Sequence, residues 1–206
     1  MNIHIKTTPE ELLRARKWWG DLEAQWKMVY NEALFARGPV LEPLKDEELM
    51  MLLVGVDTLR LAGPLAISPN TSVVLTNLSG LLPLQRLKYL SISNMKISSL
   101  EGLRLHTNLE YLYVYENKLT SIKGVEGMKN LKEFYFQSNE VEDLTPIKQL
   151  TNLEVVYASG NKIEKINGIT TKHKKIKKFY ILPNDSLHDR EIIRIQNELG
   201  ILCRQG

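Results

Sequence analysis

The sequence predicts an α/β repeat solenoid, covered at one end by helices and at the other by a helix and a strand. Three observations carry this expectation. Repeat units open at Leu87, Leu109, Leu131 and Leu153, each 22 residues after the last. The turn glycines Gly80, Gly102, Gly124 and Gly168 keep the same step, and Pro146 fills the missing place. Residues 1–54 and 185–206 lack this period and instead carry helix signals.

A chain of 206 residues can bury one substantial core or two small ones. Its hydrophobic content of 43% and charged content of 25% are those of an ordinary globular protein. A net charge of +3 supplies no strong field for nucleic acid or an anionic membrane. The single cysteine, Cys203, can form no internal disulfide and suits a reducing compartment. The opening MNIHIKTTPEELLRARKWW has no apolar core of signal-peptide length. No run of about 18 apolar residues is present to cross a membrane. A cytoplasmic protein is expected.

Residues 1–54 form the expected N-terminal helical cap. Ile3 to Lys6 read as a short strand. Thr8, Pro9 and Glu11 then read as a helix start, with threonine at the N-cap, proline at the first helical position and glutamate closing a capping box. Gly20 is expected to interrupt this helix and Asp21 to cap a second. Trp19, Leu22, Trp26, Val29 and Ala33 alternate gaps of three and four, which places them on one helical face. All three tryptophans lie here. An end cap for the solenoid explains them better than an aromatic ligand box, because an open end needs covering. A short helix from about Asp46 to Leu53 follows, with acidic residues in its first turn.

Repeats are expected over residues 55–184, regular from about residue 75. Val56, Leu59 and Leu61 begin an imperfect first unit, and residues 62–74 do not keep the spacing, so they read as an enlarged connection. The last unit starts at Ile176, one residue late. Within each unit the pattern is LxxLxLxxN. Its apolar residues point inward and stack on neighbouring turns. Asn117, Asn139, Asn161 and Asn184 turn inward to satisfy backbone groups that burial would otherwise leave unpaired. The Leu87 unit departs from this, with Met95 at the asparagine place and Asn94 one residue early. Beyond residue 185, a helix starting at Asp185 or Ser186 carries Ile192, Ile193, Ile195 and Leu199 and stops at Gly200. The strand Ile201 to Arg204 then pairs with the last repeat.

The segments LEYLYVYENKLTSIKGV, LKEFYFQSNEVEDLTPI and LEVVYASGNKIEKINGI resemble the 22-residue class of leucine-rich repeats, found in a phosphatase-1 regulatory subunit and in bacterial internalins. The resemblance covers roughly residues 56–184. It implies a curved right-handed solenoid with a parallel sheet on the concave side and short extended or 3₁₀ segments on the convex side. It also implies a protein-binding module without catalysis.

The residues between the buried apolars alternate outward onto the concave face. Seven of the eight tyrosines fall there: Tyr89, Tyr111, Tyr113, Tyr115, Tyr135, Tyr157 and Tyr180. The column from Tyr113 to Tyr180 should extend about 14 Å at the usual strand spacing. Stacked rings stabilise adjacent strands, and exposed rigid phenols are also the anchors common at interface hot spots. The expected function is therefore non-enzymatic capture of a protein or peptide on this face by a monomer. The alternative is nucleic-acid binding, with Lys172, His173, Lys174, Lys175, Lys177 and Lys178 steering and the tyrosines stacking on bases. A solvated loop explains that basic cluster better. No catalytic residue, metal site or cofactor is expected: the four histidines are scattered, and P-loop, GxGxxG and GxSxG motifs are missing.

Overall fold

Residues 8–206 are described by a computed structural model, in which seven strands form one parallel sheet in chain order. The strands are β1 (Thr58–Ala62), β2 (Tyr89–Ser93), β3 (Tyr111–Tyr113), β4 (Glu133–Tyr135), β5 (Val155–Tyr157), β6 (Lys178–Leu182) and β7 (Cys203–Gln205). The strand expected at Ile3 to Lys6 lies outside the described residues. Leu59, Leu90, Leu112, Phe134, Val156 and Phe179 face one another in register, all buried. The sheet forms one face of a repeat solenoid, each strand coming from one successive turn of the chain. Convex turns carry 3₁₀ segments at Ser79–Leu81, Glu101–Leu103 and Thr145–Ile147.

The inward asparagines form a ladder that joins successive turns. Asn139 accepts from the Leu119 amide at 2.9 Å and donates to the Val114 and Phe136 carbonyls. Asn117 and Asn161 repeat this pattern, and Asn184 serves Asn161 and Ile163. At the departing unit the Met95 sulfur takes the acceptor's place, receiving the Leu75 amide at 3.3 Å. The residue before four of the five ladder positions takes a left-handed conformation, with φ of 55° at Asn94, 53° at Glu116, 56° at Ser138 and 64° at Gly160, while Pro183 precedes Asn184. Asn94 therefore makes the turn while Met95 points inward. Residues 63–70 form the enlarged connection as a loop closed by Asn70, whose side chain accepts from the Ala62 amide and donates to the Arg60 carbonyl, both at 2.7 Å.

The turn glycines are set by close approach. A Cβ at Gly168 would lie 1.8 Å from the Leu144 carbonyl oxygen of the preceding turn. At Gly80 the obstacle is instead the Trp26 ring, 2.2 Å away. The N-terminal helices thus stand where a preceding repeat would stand. They are α1 (Pro9–Asp21), α2 (Ala24–Phe35) and α3 (Asp46–Met50), the last continuing into a π-turn over Met51–Gly55. Trp26 is fully buried, its indole nitrogen donates to Asn77, and the Tyr30 hydroxyl donates to the Gly80 carbonyl at 2.8 Å.

Thr8 and Glu11 form the expected capping box with Pro9 in the first turn. Gly20 does not interrupt α1, because nothing there competes with the helical backbone and no neighbour crowds the site. The break falls at Leu22–Glu23, where Leu22 turns extended. Trp19 and Trp26 therefore sit on different helices, and Asp21 caps neither. Glu23 stands at the N-cap of α2 without capping it, its carboxylate being drawn to Asn77 and Ser79 of the first repeats. At the other end, α4 (Asp189–Leu199) starts later than Asp185 or Ser186, with His188 at its N-cap, and ends on left-handed Gly200. β7 then pairs with β6.

Candidate functional site: the tyrosine face

The register aligns Arg60, Ser91, Tyr113, Tyr135, Tyr157, Tyr180 and Arg204 in one outward column across all seven strands. The strand beneath each tyrosine is pinned by its buried neighbours, so the rings have little choice of position. Ring centroids are separated by 4.7 Å for Tyr113–Tyr135, 5.5 Å for Tyr135–Tyr157 and 4.5 Å for Tyr157–Tyr180. These are the distances of favourable aromatic pairs. Tyr89 and Tyr111 stand in the adjacent column. Tyr89 is close to both Tyr113, at 5.2 Å, and Tyr111, at 6.3 Å. Since Ser91 offers no ring of its own, Tyr89 takes that place in the stack, and five phenols run continuously from β2 to β6. Tyr111 also lies under the Lys132 ammonium, 5.9 Å from its ring centroid. Tyr115 is half-buried on the same side but makes no ring pair among the described residues.

Glu133, in the column beside the stack, accepts from the Tyr113 hydroxyl at 2.8 Å. Burial, then this carboxylate, pushes the Tyr113 phenol well above its ordinary range. Burial also raises the Tyr89 and Tyr135 phenols. These shifts favour the protonated phenols, which can donate hydrogen bonds.

Three residues of the face were not singled out by sequence reasoning. Glu133 falls at an outward strand position that the repeat pattern leaves free to vary. Arg204 enters the column only because β7 pairs with β6 in that register. Gly206 packs on the Tyr157 ring, where a Cβ would lie 2.3 Å from a ring carbon, and its amide donates to the Leu182 carbonyl. Only the β7 pairing brings these last two to the face.

The basic cluster divides. His173 is buried, 2% exposed, and its Nε2 lies 3.2 Å from the Ile147 carbonyl, so it belongs to the core rather than to a cationic surface. Lys177 pairs with Glu154 at 2.6 Å, and Lys175 donates to Asn152. Lys132 pairs likewise with Glu110. Lys88, Glu110, Lys132, Glu154 and Lys177 occupy one place in successive units, so charges of alternating sign mark one rim of the sheet. Among the described residues, no group of histidine, cysteine and carboxylate side chains is placed to hold a metal ion. No described helix is long and apolar enough to cross a membrane.

The fold and face together define a repeat solenoid that presents an aromatic strip on an open sheet. The family model described as leucine-rich repeats in two copies matches residues 85–127, 107–149 and 129–171. Residues 85–171 of the chain are thus leucine-rich repeats. Among solved structures it is similar to an internalin C2 of Listeria monocytogenes, with 22% identity, a TM-score of 0.52 and coverage of 77% of this chain and 82% of that one. It is also similar to a second internalin of that organism (inlF), at 20% identity and a TM-score of 0.49, covering 87% of this chain and 60% of that one. No curated protein matches the sequence. Proteins of this repeat family generally mediate protein–protein interaction.

Proposed function

We propose that this protein is a non-enzymatic interaction module that holds a partner segment against Tyr89, Tyr111, Tyr113, Tyr115, Tyr135, Tyr157 and Tyr180. The observation that carries the reading is the continuous stack of five phenols. Half-buried, mutually packed rings lose little side-chain freedom when a partner covers them, so their contact area converts to affinity at small entropic cost. The raised phenol pKa values at Tyr89, Tyr113 and Tyr135 favour recognition over catalysis, because they keep the hydroxyls protonated and able to donate a hydrogen bond. The same reading makes the protein a cytoplasmic monomer, with Cys203 as a half-buried packing residue. Burial raises its thiol pKa to about 11, which disfavours the reactive thiolate.

The test is capture of partners by wild type and by the Tyr113→Ala/Tyr135→Ala double variant. The variant should keep the circular dichroism spectrum of the wild type and lose the captured proteins. Recovery of the same proteins by both would refute the reading. Nucleic-acid binding stands second. The stack suits unpaired bases, but burial of His173 and the pairing of Lys175 and Lys177 leave its basic component reduced. Single-stranded RNA that binds at low salt, and weakens steeply as salt rises, would favour it.

A further inference from the structure

Resting on that reading of the face, we infer that the partner segment is an extended acidic peptide lying across the strands, with carboxylates placed to meet both ends of the tyrosine strip. The charges on the face are unevenly placed. Arg60 stands at one end of the central column and Arg204 at the other, and Lys178 lies beside Tyr180 in the adjacent column. Arg60 is held in position, its Nη2 donating to the Ser68 carbonyl at 2.6 Å. Glu133, the carboxylate in the column beside the stack, is already engaged by the Tyr113 hydroxyl. Among the described residues, Tyr135, Tyr157 and Tyr180 donate their hydroxyls to no protein acceptor. The strip thus offers cations at its two ends and phenol donors between them, with its acidic group spoken for. A ligand that matches it supplies acceptors and negative charge.

The spacing can be set from strand geometry. Six inter-strand steps separate Arg60 from Arg204, which at about 4.8 Å each is about 29 Å. An extended chain covers that distance in about nine residues at roughly 3.3 Å per residue. Two acidic residues about eight to nine positions apart, with apolar or aromatic side chains between them to lie on the rings, fit the strip. Because the peptide crosses the strands, it meets side chains and not the edge groups of the sheet.

The probe is a library of randomised 12-residue peptides displayed on phage. It is selected in parallel against wild type, Arg60→Gln/Lys178→Gln/Arg204→Gln and Tyr113→Ala/Tyr135→Ala, each checked for wild-type circular dichroism. The expected result is enrichment on wild type of peptides with acidic residues near both ends. Synthetic copies should bind at least tenfold more weakly to the charge variant, and tenfold more weakly when their Glu is replaced by Gln. Enriched peptides that need the tyrosines but show no acidic preference overturn the inference and leave the proposed face standing. Enrichment indifferent to the tyrosine variant, or none at all, overturns both.

Discussion

Two columns run along the same solenoid, one facing in and one facing out, and each repeats a single residue type. The inner asparagines, Asn117, Asn139, Asn161 and Asn184, are held there by backbone demand: each satisfies buried amides and carbonyls of two turns. The outer tyrosines, Tyr113, Tyr135, Tyr157 and Tyr180, meet no such demand, since their strands are already bonded on both sides. Where the inner column lacks its residue, a substitute must fill the role, as the Met95 sulfur does for the Leu75 amide. Where the outer column lacks a ring, at Ser91, the fold is indifferent, yet Tyr89 leans in to continue the stack. Repetition inside reports architecture, while repetition outside needs a different cause.

The widest separation between the columns should appear in stability. Asn139→Ala strands the Leu119 amide, while the Val114 and Phe136 carbonyls keep Asn117 and Asn161 as donors. At about 1–3 kcal/mol for the one buried group left unpaired, together with the cavity the amide vacates, it should destabilise by about 2–4 kcal/mol in urea unfolding. A loss under 1 kcal/mol would show that water replaces the ladder and would break the distinction.

The turn glycines sharpen it within the framework itself. Gly168→Ala drives a methyl into the Leu144 carbonyl and should cost about 2–3 kcal/mol, whereas Gly102→Ala meets only the Leu78 Cβ at 3.1 Å and should cost less than about 1 kcal/mol. Equal losses would mean that close backbone approach is not what selects glycine here.

On the outer face, Tyr135→Ala removes two ring pairs and should cost about 1–2 kcal/mol. Tyr135→Phe keeps both pairs and should be near neutral in thermal unfolding. A tyrosine loss as large as that of Asn139 would make the stack framework, and the case for a binding face would weaken accordingly.

These contrasts also explain what the sequence made legible. Framework residues repeat at a fixed interval because every turn makes the same backbone request, so Leu109, Asn117 and Gly124 could be placed by counting. The face was legible as far as strand alternation reaches, which locates all seven tyrosines. It was not legible where position depends on tertiary pairing. Tyr89 changes columns through its rotamer, and Arg204 and Gly206 arrive through a strand whose register no periodicity fixes. His173 misled because it lies among exposed lysines in sequence, while its ring points inward to the Ile147 carbonyl. The break between α1 and α2 was misplaced for a related reason: Glu23 answers to the first repeats and not to its own helix.

The smallest effect concerns a framework place that does not hold its usual residue. Leu84, His106, Met128 and Leu150 occupy equivalent positions three residues before each unit, and all four are buried. His106 sets its Nε2 2.9 Å from the Leu81 carbonyl, while its Nδ1 has no partner among the described residues. Burial lowers its pKa below the ordinary histidine value of 6.5, outweighing the two carbonyl contacts that raise it. A depressed histidine pKa means that the unfolded chain takes up a proton more readily than the folded one. Stability is therefore complete above about pH 6.5 and declines as pH falls from there toward the folded-state pKa. His106→Leu restores the residue of Leu84 and Leu150, and the Leu81 carbonyl keeps the Leu84 amide at 2.8 Å as its donor. The variant should gain stability over wild type between pH 7 and pH 5, before the depressed carboxylates Asp143 and Glu191 begin to titrate. Urea midpoints for both proteins across that interval measure the difference. Parallel pH profiles would show that the Nδ1 atom finds a proton and a partner at no cost, and that this inner position tolerates polarity as freely as the outer face does.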